Sequence, residues 1–201
     1  MDWELAQVIV GNPSSLAIES SVTEAYESMG QRALGFFVLH VGGKCYGVRS
    51  PTATLLACSF DAVQRRIERR GQHRMQLGGE PDAMKIADAV RAAFYDEDRQ
   101  QEQFFGMSAS ELCDELHMHE ILWAPDGDAA FDDGGHVLQF DQGESIRLIA
   151  FKNAATHQDF VDSVVESWLS SEQFYATLAD WRSHFESEWK AALRAASTRS
   201  G

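Results

Sequence analysis

Hydrophobic and polar positions alternate along the first third of the chain. Residues 6–10 are a short apolar run that stops at Gly11-Asn12-Pro13, a turn signal. Residues 15–25 alternate loosely through Leu16, Ile18 and Val22. Residues 33–41 are rich in β-formers and reach Gly42-Gly43, beyond which residues 44–48 continue, so a hairpin is predicted there. The period then lengthens. Ser50-Pro51 reads as a helix cap and first turn, and Leu56, Phe60, Val63 and Ile67 fall on one helical face that stops at Gly71.

Helical spacing returns after Pro81 with Met84, Ala87, Val90 and Phe94, and residues 96–103 read as a polar loop. Ser108 and Glu111 match a capping box, in which each side chain satisfies the other residue's free backbone donor, so a helix should run to about Met118. Residues 136–140 and 145–151 alternate around Gln142-Gly143-Glu144 and predict a second hairpin. Residues 158–169 carry Val161, Val164, Val165 and Trp168 and predict a helix. Ser170 and Gln173 form another capping-box match, opening a longer helix with Phe174, Leu178, Trp181, Phe185 and Trp189 on one face. Trp168, Trp181 and Trp189 are expected in the core. The predicted class is α+β: an antiparallel sheet built from hairpins, helices packed mainly on one face, and a C-terminal helical pair. Residues 1–196 are read as a single domain with 71–103 as a helical insert, and 197–201 as a disordered tail.

Composition fits that class and narrows the compartment. The chain has 201 residues, 44% of them hydrophobic, enough to build a core. Its longest apolar runs fall short of the ~20 residues that span a bilayer. The N-terminal MDWELAQ carries no basic start of an export signal. Cys45, Cys58 and Cys113 are odd in number and widely spaced, against both a disulfide framework and a zinc pattern. A reduced, cytoplasmic protein that does not engage membranes is expected.

Charge changes the picture most. Residues 76–201 carry 24 acids against 9 bases, a local charge of −15, whereas residues 1–75 carry 7 against 8. Such a field attracts basic partners and repels nucleic acid. Arg65, Arg66, Arg69 and Arg70 sit where a helix C-terminus favours cations, and the dipole explains most of that cluster.

Candidate chemistry is sparse. His117 and His119, with Glu120 beside them, could share a metal on a strand, but at a helix end they point apart. The run Asp126, Asp128, Asp132 and Asp133 fails the EF-hand pattern, because Phe131 and Val137 replace the required glycine and glutamate. Cys113 lies in an acidic helix, which disfavours a reactive thiolate. Gly78-Gly79-Glu80-Pro81 carries an acid where a phosphate would sit. No catalytic site emerges, and no cofactor is expected.

Several ordered segments carry a resemblance. They are Val10-Gly11-Asn12-Pro13 before Leu16-Ala17-Ile18-Glu19, then Gly35-Phe36-Phe37 and a glycine hairpin at 41–47. Asp132-Asp133 precede Val137-Leu138-Gln139-Phe140-Asp141, whose partner is Ile146-Arg147-Leu148-Ile149-Ala150-Phe151-Lys152. Phe174-Tyr175 open the helix with Trp181, Phe185 and Trp189. Together they resemble the immunity protein 42 family, immunity proteins of bacterial polymorphic-toxin and contact-dependent growth-inhibition systems. The resemblance spans residues 8–193 and is most specific at 138–152. It implies a non-enzymatic protein that neutralises a cognate toxin domain, with no family active-site residues to carry over.

A basic toxin, such as a nuclease with a phosphate-binding site, is the expected partner. The expected contact is Glu111, Asp114, Glu115 and Glu120, then Asp126, Asp128, Asp132 and Asp133, with Trp123 between them as aromatic anchor. Two rivals stand beside it. One is a small metal-dependent enzyme using His117, His119 and Glu120, which bound metal would reveal. The other is a general acidic adaptor or nucleic-acid mimic, which would capture many unrelated basic proteins.

Overall fold

A computed structural model describes residues 8–78, 81–124 and 129–199. The alternating N-terminal runs form β1 (Val8–Asn12), β2 (Leu16–Ala25), β3 (Ala33–Val41) and β4 (Lys44–Tyr46), an antiparallel sheet in that order. Gly35 is where β2 and β3 crowd. A Cβ there would stand 1.9 Å from the Ser21 carbonyl oxygen, and the pairing register shifts just beyond, between Val22 and Glu24.

The predicted helix at Ser50-Pro51 starts later. Residues 50–53 form a turn closed by Ala53 N–H on the Ser50 carbonyl, and β5 (Thr54–Leu55) pairs with β3 before α1 (Leu56–Glu68) begins. Pairing to Leu34 and Gly35 gives the Thr54 and Leu55 backbone partners that an early helical turn would deny them.

The helix α2 (Ala83–Tyr95) is capped by Asp82, whose carboxylate accepts from Lys85 N–H at 2.8 Å. A short ribbon of β6 (Gln103–Phe104) and β7 (Met107–Ser108) leads into α3 (Ala109–Met118). Next come β8 (Leu122–Ala124), β9 (Gly135–Gln142) and β10 (Ser145–Lys152). The helix predicted over 158–169 is not formed as one element. It divides into α4 (His157–Ser163) and β11 (Val165–Ser170), and β11 pairs with β10 from Ser145 to Ala150. The β-branched pair Val164-Val165 favours extension, and the open edge of β10 supplies backbone partners that outweigh a weak helical pattern. The second sheet is thus β11-β10-β9-β8. The last element, α5, covers Ser171–Arg199 and is opened by Ser170, whose hydroxyl accepts from Gln173 N–H at 3.1 Å. Of the tail expected at 197–201, Ser197, Thr198 and Arg199 are helical, and 200–201 lie outside the described residues.

Two cores share the second sheet. In the first, Leu16, Ile18, Phe37 and Leu39 meet Phe60 and Val63 of α1 and Phe174, Leu178, Trp181 and Phe185 of α5. Val137, Ile146, Leu148 and Ala150 from one face of the second sheet join them. The alternate residues Leu138, Phe140, Ile149 and Phe151 face the other way, against Ile86 and Val90 of α2, Leu112 and Leu116 of α3, and Phe160 of α4. The 71–103 stretch therefore supplies the helix that buries the far face of this sheet. Trp181 and Trp189 are core residues as expected, but Trp168 is 50% exposed: strand alternation turns it away from the first core onto the face it shares with Arg147 and Phe140, on the edge strand of the sheet.

Candidate functional site

The capping box of α3 forms as predicted. Ser108 N–H donates to Glu111 Oε2 at 2.8 Å, and Glu111 N–H donates to the Ser108 hydroxyl at 3.3 Å. The bond from Ser108 N–H, and then the one that the Ser108 hydroxyl donates to the same carboxylate oxygen at 2.8 Å, hold the Glu111 carboxyl below the ordinary glutamate range. With Ala109, Leu112 and Leu116 facing inward, Glu111, Asp114, Glu115 and Met118 form an outer stripe at helical spacing. Met118 is 63% exposed. His119 Nε2 lies 3.3 Å from Glu115, whereas His117 Nδ1 donates to the Cys113 carbonyl at 2.8 Å and its ring meets Phe94. The two histidines thus face different partners. Among the described residues no group of three or more His, Cys, Asp or Glu could hold a metal ion.

The structure separates the other acids expected beside this stripe. Glu120 has a left-handed backbone, φ 45°, and pairs with Arg69 at 2.8 Å. Asp126 and Asp128 lie outside the described residues. Asp132 is exposed, but Asp133 accepts from the Gly47 and Gly135 amides and from Lys152 Nζ at 2.7 Å, a use that ties chain segments together. Asp133 lies near the start of β9 and Glu115 beside its far end, so the strand separates them by roughly 23 Å.

Trp123 is not an exposed anchor. It is 5% exposed, packed edge-on to Phe174 with the Arg66 guanidinium 5.0 Å from its ring. Its place on β8, paired to β9, turns the indole into the core.

Beside α3 the structure opens a groove of about 1220 Å³, lined among others by Arg74, Phe105, Glu115, Phe140, Arg147 and Trp168. Trp168 stands on its rim. The indole N–H donates to Glu166 at 3.1 Å, the same carboxylate oxygen that accepts from Arg147 Nε at 2.6 Å, and Arg147 lies 5.5 Å from the indole ring. Arg147 also donates to the Pro81 carbonyl at 3.0 Å, joining the segment before α2 to β10. An exposed aromatic held this firmly loses little freedom on contact. The alternation of Val165, Ser167 and Leu169 was the sequence signal for it, masked by the helical pattern at 161–165.

A buried polar network supports the groove. Arg66, 4% exposed, donates from Nη1 to the Glu120 carbonyl at 3.1 Å and to Gln139 Oε1 at 2.9 Å. Gln139 donates onward to Asp141 at 2.8 Å, and Tyr175 donates to the same carboxylate at 3.0 Å. Burial draws the Arg66 pKa down to about 9, which still leaves it charged at neutral pH. Burial first, then the Asp141 charge, raises the Tyr175 phenol. Arg70 lies 5.0 Å from the Tyr175 ring. The arginine cluster assigned to a helix dipole therefore has a second use, in which Arg66, Arg69 and Arg70 hold α1 against β9, α3 and α5.

His73 closes this network. Its backbone exchanges bonds with Asp141, and Nδ1 lies 3.3 and 3.1 Å from the His119 and Glu120 carbonyls. Carbonyls only accept, so Nδ1 carries the hydrogen and Nε2 is bare, buried without a hydrogen-bond partner among the described residues. Burial, then Arg66, lowers the imidazole pKa, outweighing Asp141 and the two carbonyls. The unfolded histidine takes its proton near pH 6.5 and the folded one at lower pH, so stability held above that value is lost as pH falls below it. Urea midpoints should therefore drop between about pH 7.5 and about pH 5.5, and drop less in His73→Asn, whose amide donates to the same carbonyls without titrating. Equal drops would show that His73 is not responsible.

The family model described as immunity protein 42 matches residues 8–184. The chain belongs to the immunity protein 42 family. Among solved structures, this immunity protein 42 member is similar to one described as the crystal structure of CdiI from Burkholderia dolosa. The two are 19% identical, the match covers 88% of this chain and 99% of that one, and the TM-score is 0.49. No curated protein matches the chain. Immunity protein 42 membership supports a toxin-neutralising role with a cognate toxin as partner, and suggests a role other than catalysis. Among the described residues of this immunity protein, no helix is long and apolar enough to cross a membrane.

Proposed function

We propose that the protein neutralises its toxin in the cytoplasm by docking the outer face of α3 and the adjoining groove rim onto a basic surface of the toxin domain. The observation that carries this is the outer stripe of α3, with Glu111 and Asp114 exposed and Glu115 half-buried beside the groove, in a region of local charge −15. Complementary charge would speed encounter and select the partner, while Trp168 supplies the contact that desolvates on docking. A nuclease fits this chemistry, since its substrate site must be cationic to hold phosphates, and occlusion of that site would inhibit it. Asp132 belongs to a separate surface and is the natural control.

The test uses the toxin domain encoded beside the gene. Glu111 is spared because its carboxylate caps α3. Asp114→Lys with Glu115→Lys should weaken binding about tenfold or more at low salt, chiefly through slower association, with the difference shrinking as salt rises. Trp168→Ala should cost about 2 kcal/mol at every salt concentration. Asp132→Lys should do neither. Wild-type affinity in both the lysine pair and the Trp168 variant would exclude this surface.

A further inference from the structure

The outer side of the first sheet carries a constellation that lies outside the docking surface proposed above. Glu19 on β2, His40 on β3 and Cys45 on β4 share one face: Cys45 and His40 are direct cross-strand partners, and Glu19 is diagonal to His40. His40 Nε2 lies 2.6 Å from Glu19 Oε2, and His40 Nδ1 lies 3.4 Å from Cys45 Sγ. Arg49 closes the set, with Nε and Nη2 on the two Glu19 oxygens at 2.7 and 2.6 Å and Nη2 also 3.4 Å from Sγ.

Glu19 is fully buried, yet its carboxyl lies below the ordinary range. Burial alone would raise it, and the hydrogen bonds from Arg49 and His40 outweigh that. An ionised carboxylate only accepts, so His40 Nε2 carries the hydrogen and Nδ1 presents its lone pair to the thiol. Thiol, imidazole and carboxylate thus stand in the order that activates a nucleophile. Cys45 is half-buried and Arg49 half-exposed, so a small molecule needs only a modest displacement to reach Sγ. The other cysteines lack this setting. Cys113 donates its S–H to the Ala93 carbonyl, and burial, then Asp114, pushes its pKa up; Cys58 is exposed on α1.

We propose that Cys45 is a nucleophilic thiol, with His40 as its base, that hydroperoxides convert to a sulfenic acid. His40 Nδ1 takes the thiol proton while Arg49 faces the charge developing on sulfur. The sulfur attacks the hydrogen-bearing oxygen of the hydroperoxide, forming the S–O bond as the O–O bond breaks. The departing alkoxide or hydroxide collects the proton from Nδ1. Thiol and hydroperoxide become sulfenic acid and alcohol, or water when the oxidant is hydrogen peroxide, and sulfur is the atom oxidised.

The test treats the reduced full-length chain with hydrogen peroxide in the presence of dimedone, which traps sulfenic acids, and follows each cysteine by peptide mass spectrometry. Cys45 should be labelled at least about tenfold faster than Cys58, although Cys58 is more exposed, and Cys113 should stay slow. His40→Asn should slow Cys45 by about tenfold and leave Cys58 unchanged. If that variant unfolds, Cys113 becomes reactive, and the wild-type ratio of Cys45 to Cys58 then decides alone. A wild-type ratio near one, or an unchanged Cys45 rate in folded His40→Asn, overturns the proposal.

Discussion

Trp181→Ala is expected to lower the free energy of unfolding by about 3–5 kcal/mol, the range for emptying a large aromatic site in a packed core. The indole is fully buried, stacked on Phe185 at 5.5 Å and edge-on to Phe37 at 5.0 Å. Its N–H donates to the Ser20 hydroxyl at 2.9 Å, so truncation also takes a partner from a buried serine. The site joins α5 to both β2 and β3, where collapse around the cavity is resisted from two sides. Trp181→Phe keeps part of the stacking and should fall between the two. Urea unfolding followed by far-UV circular dichroism gives the measurement, and a loss below about 1 kcal/mol for the alanine variant would mean that the core relaxes around this ring.

Arg66→Ala should cost about 3 kcal/mol or more, through unpaired polar groups as well as a cavity. Without the guanidinium, Gln139 Oε1 and the Glu120 carbonyl lose a donor, and Asp141 loses a nearby cation in a buried setting. Arg66→Met fills much of the volume without replacing the hydrogen bonds, so the part of the loss that it fails to recover measures the network. Because the network supports the groove, Arg66→Met should also weaken toxin binding more than its distance from the surface suggests. Equal stability of Arg66→Met and wild type would show that the polar contacts are dispensable, an outcome known for some buried ionic groups.

Much of the architecture was legible because local period and local turns agree. The β3–β4 and β9–β10 hairpins, the α3 capping box and the long C-terminal helix follow from patterns within about ten residues. Other elements were not legible. The segment 165–170 has apolar spacing that suits either a helix or a strand, and the free edge of β10 decided for a strand. That choice also moved Trp168 from the expected core to the groove rim. Trp123 moved the opposite way: its position between acidic stretches suggested exposure, but its place on β8 buries it.

The sequence by itself determined the α+β class, the hairpins, the principal helices, the concentration of acid after residue 75 and the family resemblance. All of these depend on composition, on period or on short ordered motifs. Only the tertiary structure decided which charges face solvent and which are committed inside. Arg66, His73, Asp141 and Tyr175 converge from four separate segments, and Glu19, His40 and Cys45 meet through strand register. The physical reason is that side-chain chemistry at these places acts over a few ångströms, whereas each set includes residues tens of positions apart along the chain, such as Glu19 and His40 or His73 and Asp141. No local period records that separation, so it becomes definite only when the sheets pair and the helices close over them.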